Sequence, residues 1–246
     1  MISALVLSVV LALAPAVTPP PGGGDVDYQL GGAVRPDPRV EIVVRDRNAA
    51  PARGRYNVCY VNGFQTQPDE ARFWRQRWSL VLKRGDRPVL DEAWGEWLLD
   101  IRTPTKRAAL ARIVGRWIDG CARNGYDAVE LDNLDSWSRS HGLVTRAQAK
   151  AFARLLLLRA HADGLAVGQK NWPELDGTTL GFDFAVAEEC GRYAECGRYR
   201  ASYGNRVLVI EYRRTDFQRA CARWGAQLGI VLRDRALSPR GVRSWC

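Results

Sequence analysis

The chain has 246 residues, of which 46% are hydrophobic and 26% charged, which is enough for one large domain with a substantial core. Its net charge of +9 comes mostly from arginine, since only four lysines occur: Lys83, Lys106, Lys150 and Lys170. A basic chain could bind nucleic acid, but the arginines are scattered through helix-like segments and no nucleic-acid motif is present. We therefore expect a solvated, salt-bridged surface and no nucleic-acid partner.

The first residues, MISALVLSVVLALAPAV, are apolar, carry no charged side chain and end in the small-residue pattern Ala14-Pro15-Ala16. They predict a signal peptide over residues 1–16, although no Lys or Arg precedes the apolar run. Because the run is short for a membrane span of about 20 residues, we expect export and no stable membrane insertion. TPPPGGGD predicts a flexible Pro/Gly-rich linker over residues 17–27, followed by one domain over residues 28–246.

Apolar β-type runs alternate with helical patterns along the chain. Eight runs are predicted as strands: 39–46, 56–63, 96–102, 127–133, 165–171, 182–189, 206–212 and 228–234. The clearest helices are predicted over 106–125, 145–164 and 215–226, with Thr145 and Thr215 as N-caps. Eight such alternations predict an α/β fold, a single-domain (β/α)8 TIM barrel. An open α/β sheet is the alternative, because the first two connections are poorly defined.

Six cysteines in an exported chain suggest three disulfides, for which fifteen pairings exist. Proximity favours Cys190–Cys196, which would close a short loop. Cys221–Cys246 could tie down the end of the chain, and Cys59–Cys121 is the pair that then remains. Zinc is the competing interpretation, but no Cys-x2-Cys pair is present, and His141 and His161 lie in polar surroundings. We expect no metal site and no cofactor.

The predicted strands end in polar residues, and in a barrel of this kind the C-terminal strand ends form the active site. These ends carry Asp46, Asn62, Asp100, Asp132 with Asn133, Lys170 with Asn171, Glu188 with Glu189, Glu211 with Tyr212, and Arg233 with Asp234. Period-two alternation places Glu130 and Asp132 on one side and Asn133 and Asp135 on the other. Alternation alone does not decide whether Glu188 or Glu189 faces the barrel axis.

A cluster of carboxylates with one lysine suits acid/base chemistry on sugars, because glycosidases need two carboxyl groups with different protonation states. Four of the nine tryptophans lie in or near loops that follow strands: Trp74, Trp94, Trp137 and Trp172. Any one of them is more often a packing residue than a platform for sugar rings. Trp137 and Trp172, directly after polar strand ends, are the best candidates for stacking on sugar.

Four segments, GYDAVELDNLDSW, AHADGLAVGQKN, FDFAVAEECGRYAEC and VLVIEY, resemble in their order and spacing the endo-α-1,4-polygalactosaminidase family, glycoside hydrolase family 114. YQLGG, CYVNG and GEWLLDIR extend the resemblance over residues 28–212. It implies a (β/α)8 fold and a catalytic pair, the Asp of Asp-Asn-x-x-Asp and the Glu of Asn-Glu-Gln-Cys. These map onto Asp132 and, because Glu189 takes the position of the Gln, onto Glu188.

The sequence departs from the family pattern close to these motifs. Ala187 replaces the usual Asn before the catalytic Glu, Leu98 stands where Trp is common, and VNGFQTQPDE differs from the commoner Ser-Ala-Gly-Ser-Tyr-Glu. Fold and reaction type are therefore expected to transfer more safely than the exact substrate.

The resemblance implies a secreted enzyme that cleaves α-1,4-linked, galactosamine-containing polysaccharide internally and with retention. By analogy with other barrels, Asp132 is expected to be the nucleophile and Glu188 the acid/base, and these roles could be reversed. Ten further residues are expected to bind substrate: Asp46, Asp100, Asn133, Asp135, Trp137, Lys170, Asn171, Trp172, Glu211 and Tyr212. Alternatives are an inactive carbohydrate-binding barrel and a hydrolase of another amino-sugar polymer. We expect a monomer whose partner is the polysaccharide.

Overall fold

The computed structural model describes residues 16–246, so all but the last residue of the predicted signal peptide lies outside the described residues. Eight strands pair in parallel, each with the next along the chain. Their bounds are β1 Val26–Gln29, β2 Ile42–Asp46, β3 Tyr56–Asn62, β4 Ala128–Asp132, β5 Ala166–Lys170, β6 Phe184–Glu188, β7 Val207–Glu211 and β8 Gly229–Arg233. The predicted TIM barrel is confirmed.

Helices cover the outside of this barrel. They are α1 Ala71–Arg75, α2 Pro104–Arg123, α3 Arg146–Ala162, α4 Cys196–Tyr203 and α5 Arg214–Trp224, with 3-10 turns at Pro68–Glu70, Trp78–Leu80, Ser136–Arg139 and Gly177–Leu180. The predicted cap of α3 is confirmed, because Thr145 and Gln148 form a capping box. The cap predicted at Thr215 is wrong. Helix α5 begins one residue earlier, and Arg213, which precedes it in an extended conformation, provides no side-chain cap.

Alternate residues of each strand belong to two different cores. On β6, Phe184 and Val186 pack inside the barrel, while Ala185 and Ala187 pack in the outer core that the helices cover. The same alternation turns the last residues of neighbouring strands inward at the C-terminal mouth. The sequence of each strand thus determines which polar side chains enter the barrel.

One predicted strand, 96–102, is wrong. Only Glu96–Trp97 is extended there, in a small hairpin with Leu90–Asp91. This hairpin and a second one, Lys83–Arg84 with Arg87–Pro88, belong to a long excursion between β3 and α2. The apolar run of the prediction is buried as expected, but it packs within the excursion instead of joining the barrel sheet.

Among the eight parallel barrel strands, the one missed by the sequence patterns is β1, which begins inside the expected flexible linker, residues 17–27. The preceding residues are also held in place: Gly23 N donates a hydrogen bond to the carbonyl oxygen of Asn205, and Tyr56 Oη donates one of 2.7 Å to that of Thr18. Val17 packs against the barrel interior. Instead of remaining free, this stretch packs against the N-terminal end of the barrel, because these contacts satisfy its backbone and bury its apolar side chain.

The seam between β8 and β1 is closed by the end of the chain. Strand β9, Arg243–Trp245, pairs antiparallel with β8, and Trp245 Nε1 donates a hydrogen bond of 2.8 Å to the carbonyl oxygen of Val26 on β1. Close approach at the seam requires glycine, since a Cβ on Gly229 would lie 2.1 Å from the carbonyl oxygen of Gly24. The barrel is therefore completed by residues far apart in sequence.

All three expected disulfides are confirmed, and they connect Cys59 to Cys121, Cys190 to Cys196, and Cys221 to Cys246. Across residues 16–246, no helix combines the length and the apolar character that a membrane crossing requires. One group of potential metal ligands lies close together in this range, Cys190, Cys196 and Glu211, but its two sulfur atoms are bonded to each other.

Candidate active site

The C-terminal mouth of the barrel contains a cavity of about 550 Å³, here called the central pocket. Side chains from seven of the eight strands or their following loops, and from the long excursion, converge on it. Its lining residues are Tyr28, Leu30, Tyr60, Trp94, Glu96, Asp132, Asn133, Asp135, Arg139, Lys170, Asn171, Glu188, Tyr212 and Leu237.

Lys170, the last residue of β5, lies buried at the floor of this pocket and contacts three carboxylates. Its Nζ lies 2.7 Å from Oε1 of Glu130, 3.0 Å from Oδ1 of Asp132 and 3.4 Å from Oε2 of Glu188. Burial alone would lower the pKa of Lys170, but the charges of these three groups raise it well above its usual value. The lysine is therefore a fixed positive charge beneath the acids.

Asp132, at the end of β4, is held in its ionised form. Tyr60 donates a hydrogen bond of 2.5 Å to its Oδ2, and Lys170 donates one of 3.0 Å to its Oδ1. Burial opposes ionisation, but the charge of Lys170 and the two hydrogen bonds outweigh it, so the pKa of Asp132 lies below its usual value. A carboxylate in this environment is ionised at neutral pH and suited to nucleophilic attack.

Glu188, at the end of β6, faces Asp132 across Lys170. Its Oε1 accepts a hydrogen bond from Tyr212, and its backbone N–H donates one of 3.0 Å to Oδ1 of Asn171. With 20% of its side chain exposed, Glu188 can be reached by water and by a leaving group. Glu189 turns away and pairs with Arg192 at 2.7 Å. The structure therefore points Glu188, and not its neighbour, toward the pocket.

Glu130 lies one inward-facing position below Asp132, fully enclosed by the barrel. Tyr28 donates a hydrogen bond of 2.6 Å to its Oε1, and Lys170 donates one of 2.7 Å to the same oxygen. Burial is the main reason that the pKa of Glu130 is raised, to about 7, with the charge of Asp132 adding to the effect. Glu130 does not line the pocket, and its contacts position the lysine.

Glu96 is a third carboxyl group in the central pocket, and it comes from the long excursion. Its Oε2 accepts hydrogen bonds of 3.0 Å from Asn62 and 3.2 Å from Asn133. Burial and the charge of Asp132 raise its pKa to about 8. At neutral pH this group is therefore a neutral acid beside an ionised one.

Backbone strain is concentrated at the same mouth. Asn133, Asn171 and Glu189 directly follow β4, β5 and β6, and each has a positive φ, of 62°, 52° and 56° respectively. Such a conformation is uncommon for residues other than glycine, and a residue held in a sparsely populated region costs about 1–3 kcal/mol, least for Asn. At these turns the side chains of the preceding residues, Asp132, Lys170 and Glu188, line the pocket, as do the amides of Asn133 and Asn171.

Seven of the twelve predicted site residues line the central pocket together: Asp132, Asn133, Asp135, Lys170, Asn171, Glu188 and Tyr212. Two others, Trp137 and Trp172, line an adjoining open groove, here called the side groove. Their rings contact each other at a centroid distance of 5.2 Å, and Trp172 is only 4% exposed. Trp172 therefore has little free face for stacking on a sugar.

Three predicted binding residues lie outside the central pocket. Asp46 accepts hydrogen bonds from Gln67 and from the backbone of Asn48 beside the mouth. Asp100 is buried in an ion pair of 2.8 Å with Arg102. Glu211 faces the outer core, because its neighbours on β7 face the barrel interior. We do not include these three residues in the proposed binding site.

The sequence patterns did not single out several other residues of the pocket. Tyr28 and Tyr60 lie within the motifs YQLGG and CYVNG, so the motifs contained a signal, but aromatic residues near strand ends are usually core residues. Glu96 lies within GEWLLDIR, where its neighbours suggested a strand. Arg139 comes from an irregular segment, for which no periodicity predicts a direction. Trp94 is among the tryptophans near loops but is not one of the two best stacking candidates.

A TIM barrel with paired carboxylates at its C-terminal mouth is an architecture typical of glycoside hydrolases. The family model of glycoside-hydrolase family GH114 matches residues 8–246, so the chain belongs to this family and is a glycoside hydrolase.

Solved structures of two proteins share the fold along most of the chain. One is Aspergillus fumigatus Ega3 in complex with galactosamine, with 23% identity, a TM-score of 0.73, and coverage of 97% of this chain and 99% of that one. The other is the glycoside hydrolase domain of PelA from Pseudomonas aeruginosa, with 17% identity, a TM-score of 0.63, and coverage of 89% and 97%. No curated protein matches the sequence.

Proposed function

We propose that this glycoside hydrolase is secreted and cleaves α-1,4-linked, galactosamine-containing polysaccharide at internal bonds, with retention of configuration. Asp132 is the nucleophile and Glu188 the acid/base. The observation that carries the proposal is the position of both carboxylates at one pocket, at 3.0 and 3.4 Å from the same ammonium of Lys170.

Different environments support different roles for the two acids. Asp132 is surrounded by donors that favour its ionised form, as a nucleophile requires. Glu188 has the more exposed side chain of the two. It accepts a hydrogen bond from Tyr212 and forms an ion pair with Lys170 at the side of the pocket. A group that gives a proton to a leaving oxygen and later takes one from water must be accessible to both.

In the first step, Asp132 attacks the anomeric carbon and forms a glycosyl ester, while the bond from that carbon to the bridging oxygen breaks. Glu188 gives its proton to this oxygen, which leaves as a hydroxyl group on the shortened chain. In the second step, Glu188 takes a proton from water, the water oxygen bonds to the anomeric carbon, and the ester to Asp132 breaks. Both carboxyl groups return to their starting states.

The spacing of the carboxylates supports retention. Because both oxygens lie close to one nitrogen, they cannot be farther apart than the sum of 3.0 and 3.4 Å. That upper limit is compatible with the spacing of about 5–5.5 Å in retaining enzymes and lies at the lower edge of the spacing of about 6.5–9.5 Å in inverting enzymes.

The charges of the central pocket support a substrate with free amino groups. Besides the neutral Glu96, three acidic side chains line the pocket, Asp132, Asp135 and Glu188, against the two basic ones of Lys170 and Arg139. The overall charge of +9 opposes a cationic polymer at long range, but salt screens such forces beyond about 8 Å, so the local acids dominate at contact. The fold neighbour Ega3 was crystallised with galactosamine, which agrees with this substrate class.

Three disulfides support the proposed secretion, because such bonds persist in oxidising compartments. The apolar N-terminal run with its small-residue ending agrees with it.

The proposal is tested with purified protein and a partly deacetylated galactosamine polymer. We expect reducing ends to appear with a rapid fall in polymer length, and the first product observed by proton NMR to be the α-anomer. Initial release of the β-anomer would contradict retention, and release of monosaccharide alone would contradict internal cleavage. Binding without hydrolysis would favour an inactive carbohydrate-binding barrel.

A further inference from the structure

The side groove has a volume of about 1,290 Å³ and opens directly from the central pocket. The two spaces share part of their walls, including Asn171, Glu188 and Tyr212. The groove extends from this shared wall over the loops that follow β4, β5 and β6. A polymer reacting in the central pocket can therefore continue into the groove without a break.

The two proposed catalytic carboxylates differ in their relation to these spaces. Asp132 lines the central pocket but not the side groove, whereas Glu188 lines both spaces. In a retaining reaction the nucleophile bonds to the sugar that keeps its anomeric carbon in the site, and the acid protonates the oxygen that leaves with the rest of the chain. The position of Glu188 at the boundary therefore indicates which end of a bound polysaccharide faces the groove.

We propose that the side groove binds the departing part of the chain, namely the amino-sugar units on the reducing-end side of the broken bond. This inference rests on the proposed function and goes beyond it, because it states which part of the substrate lies in which part of the cleft.

Exposed aromatic rings in the groove support binding of sugar units. Tyr193 is 56% exposed and Trp94 is 44% exposed, and both line the groove. Single exposed aromatic residues are common on protein surfaces, so these two support the proposal because both lie along the same groove. Sugar rings present apolar C–H faces that pack against aromatic rings. A guanidinium lies near each ring, Arg146 at 4.4 Å from the centroid of Trp137, Arg235 at 4.8 Å from that of Trp94 and Arg192 at 5.1 Å from that of Tyr193. Trp94 and Tyr193 are the more available because their side chains are the more exposed.

Acidic side chains outnumber basic ones in the groove lining, five against the three of Arg139, Arg146 and Arg235, which suits amino groups. Glu195 lines the groove and forms no ion pair within residues 16–246. Glu189 and Glu174 also line the groove, but Glu189 pairs with Arg192 and Glu174 with Arg198, and neither arginine lines it. A carboxylate without a cationic partner can accept hydrogen bonds from the ammonium group of a deacetylated unit. Glu195 therefore favours unacetylated units on the departing side.

The test compares two substrates that share the same non-reducing part. One is a galactosamine oligosaccharide that extends through the groove, and the other is a galactosamine trisaccharide whose reducing end carries p-nitrophenol. Nitrophenolate leaves with little protonation and has no sugar units to bind in the groove. We expect Tyr193→Ala and Glu195→Gln each to lower kcat/KM for the oligosaccharide about tenfold, while the nitrophenyl substrate changes less than twofold.

The matched control is Leu158→Ala, which removes an apolar side chain that is 70% exposed on α3, away from the cleft. It should leave both substrates unchanged. Equal losses for both substrates in Tyr193→Ala and Glu195→Gln, or no loss for either, would overturn the assignment of the groove. If the unmodified protein hydrolyses neither substrate, the proposed function fails and this inference fails with it.

Discussion

Lys170 and Glu130 form a buried ion pair beneath the central pocket, with Nζ 2.7 Å from Oε1. Removing Lys170 would leave the buried carboxyl of Glu130 without its cation, and breaking a buried pair in this way costs about 3–5 kcal/mol. The same ammonium also contacts Asp132 and Glu188. The ion pair therefore fixes a positive charge where the two proposed catalytic acids can share it.

Tyr60→Phe should raise the pKa of Asp132, because the hydrogen bond of 2.5 Å from Tyr60 favours the ionised form of that carboxyl. Since the nucleophile must be ionised, the acidic limb of the kcat/KM profile should move to higher pH by about one unit. The measurement is kcat/KM from pH 3 to 8. Tyr56→Phe is the matched control on the same strand, because its hydroxyl bonds Thr18 at the opposite end of the barrel. An acidic limb that does not move in Tyr60→Phe would contradict the assigned role of Asp132.

Glu96→Gln should retain activity within about threefold at pH 6. The pKa of Glu96 is raised to about 8, so the carboxyl is neutral at pH 6, and glutamine imitates a neutral carboxyl group in size and hydrogen bonding. The check is kcat/KM at this pH. Glu188→Gln, the same substitution in the same pocket, should lose at least about a hundredfold, as expected for a general acid/base. A comparable loss in Glu96→Gln would show that Glu96 works in its ionised form or transfers a proton itself.

Glu211→Gln should make folding stability less dependent on pH. Burial raises the folded pKa of Glu211 to about 7, above the usual value of 4.5, so the folded state binds more protons than the unfolded state between these values. This carboxyl therefore stabilises the fold below about pH 4.5, and its contribution is lost as pH rises to 7. The loss is at most about 3.5 kcal/mol, since one pKa unit corresponds to about 1.4 kcal/mol.

The measurement for Glu211→Gln is urea unfolding at pH 5 and pH 8. The variant should approach the unmodified protein in stability at pH 5 and exceed it at pH 8, because glutamine keeps an acceptor for the backbone N–H of Gly191 and carries no charge. An equal difference in the free energy of unfolding at both pH values would contradict a titrating Glu211.

The sequence predicted those parts of the fold and site that depend on local pattern. Asp132, Lys170 and Glu188 end strands whose alternation is regular, and the strand register then delivers them to one mouth. The same alternation placed Glu211 opposite the inward-facing Tyr212, and it could have excluded Glu211 from the mouth. Glu211 was predicted at the mouth because it lies at the end of a predicted strand together with Tyr212.

Strand β1 could not be predicted in the same way. Its four residues include Asp27, whose burial is compensated by Arg233 and Arg243, more than 200 residues along the chain. A charged residue in a short segment predicts a loop when only the local sequence is considered. Its ion-pair partners are brought close only by the tertiary fold. Glu96 was missed for a related reason, since its direction depends on the path of a long excursion.

The central claim is that Asp132 carries out the nucleophilic step of polysaccharide cleavage, and it is tested most directly by reducing-end release from a galactosamine polymer by Asp132→Asn. Asp46→Asn is the matched control, because Asp46 also ends a strand but lies outside the central pocket. We predict that Asp132→Asn folds normally by circular dichroism and loses about a thousandfold or more in kcat, equivalent to about 4 kcal/mol, while Asp46→Asn stays near the unmodified protein. Full activity in folded Asp132→Asn would contradict the account.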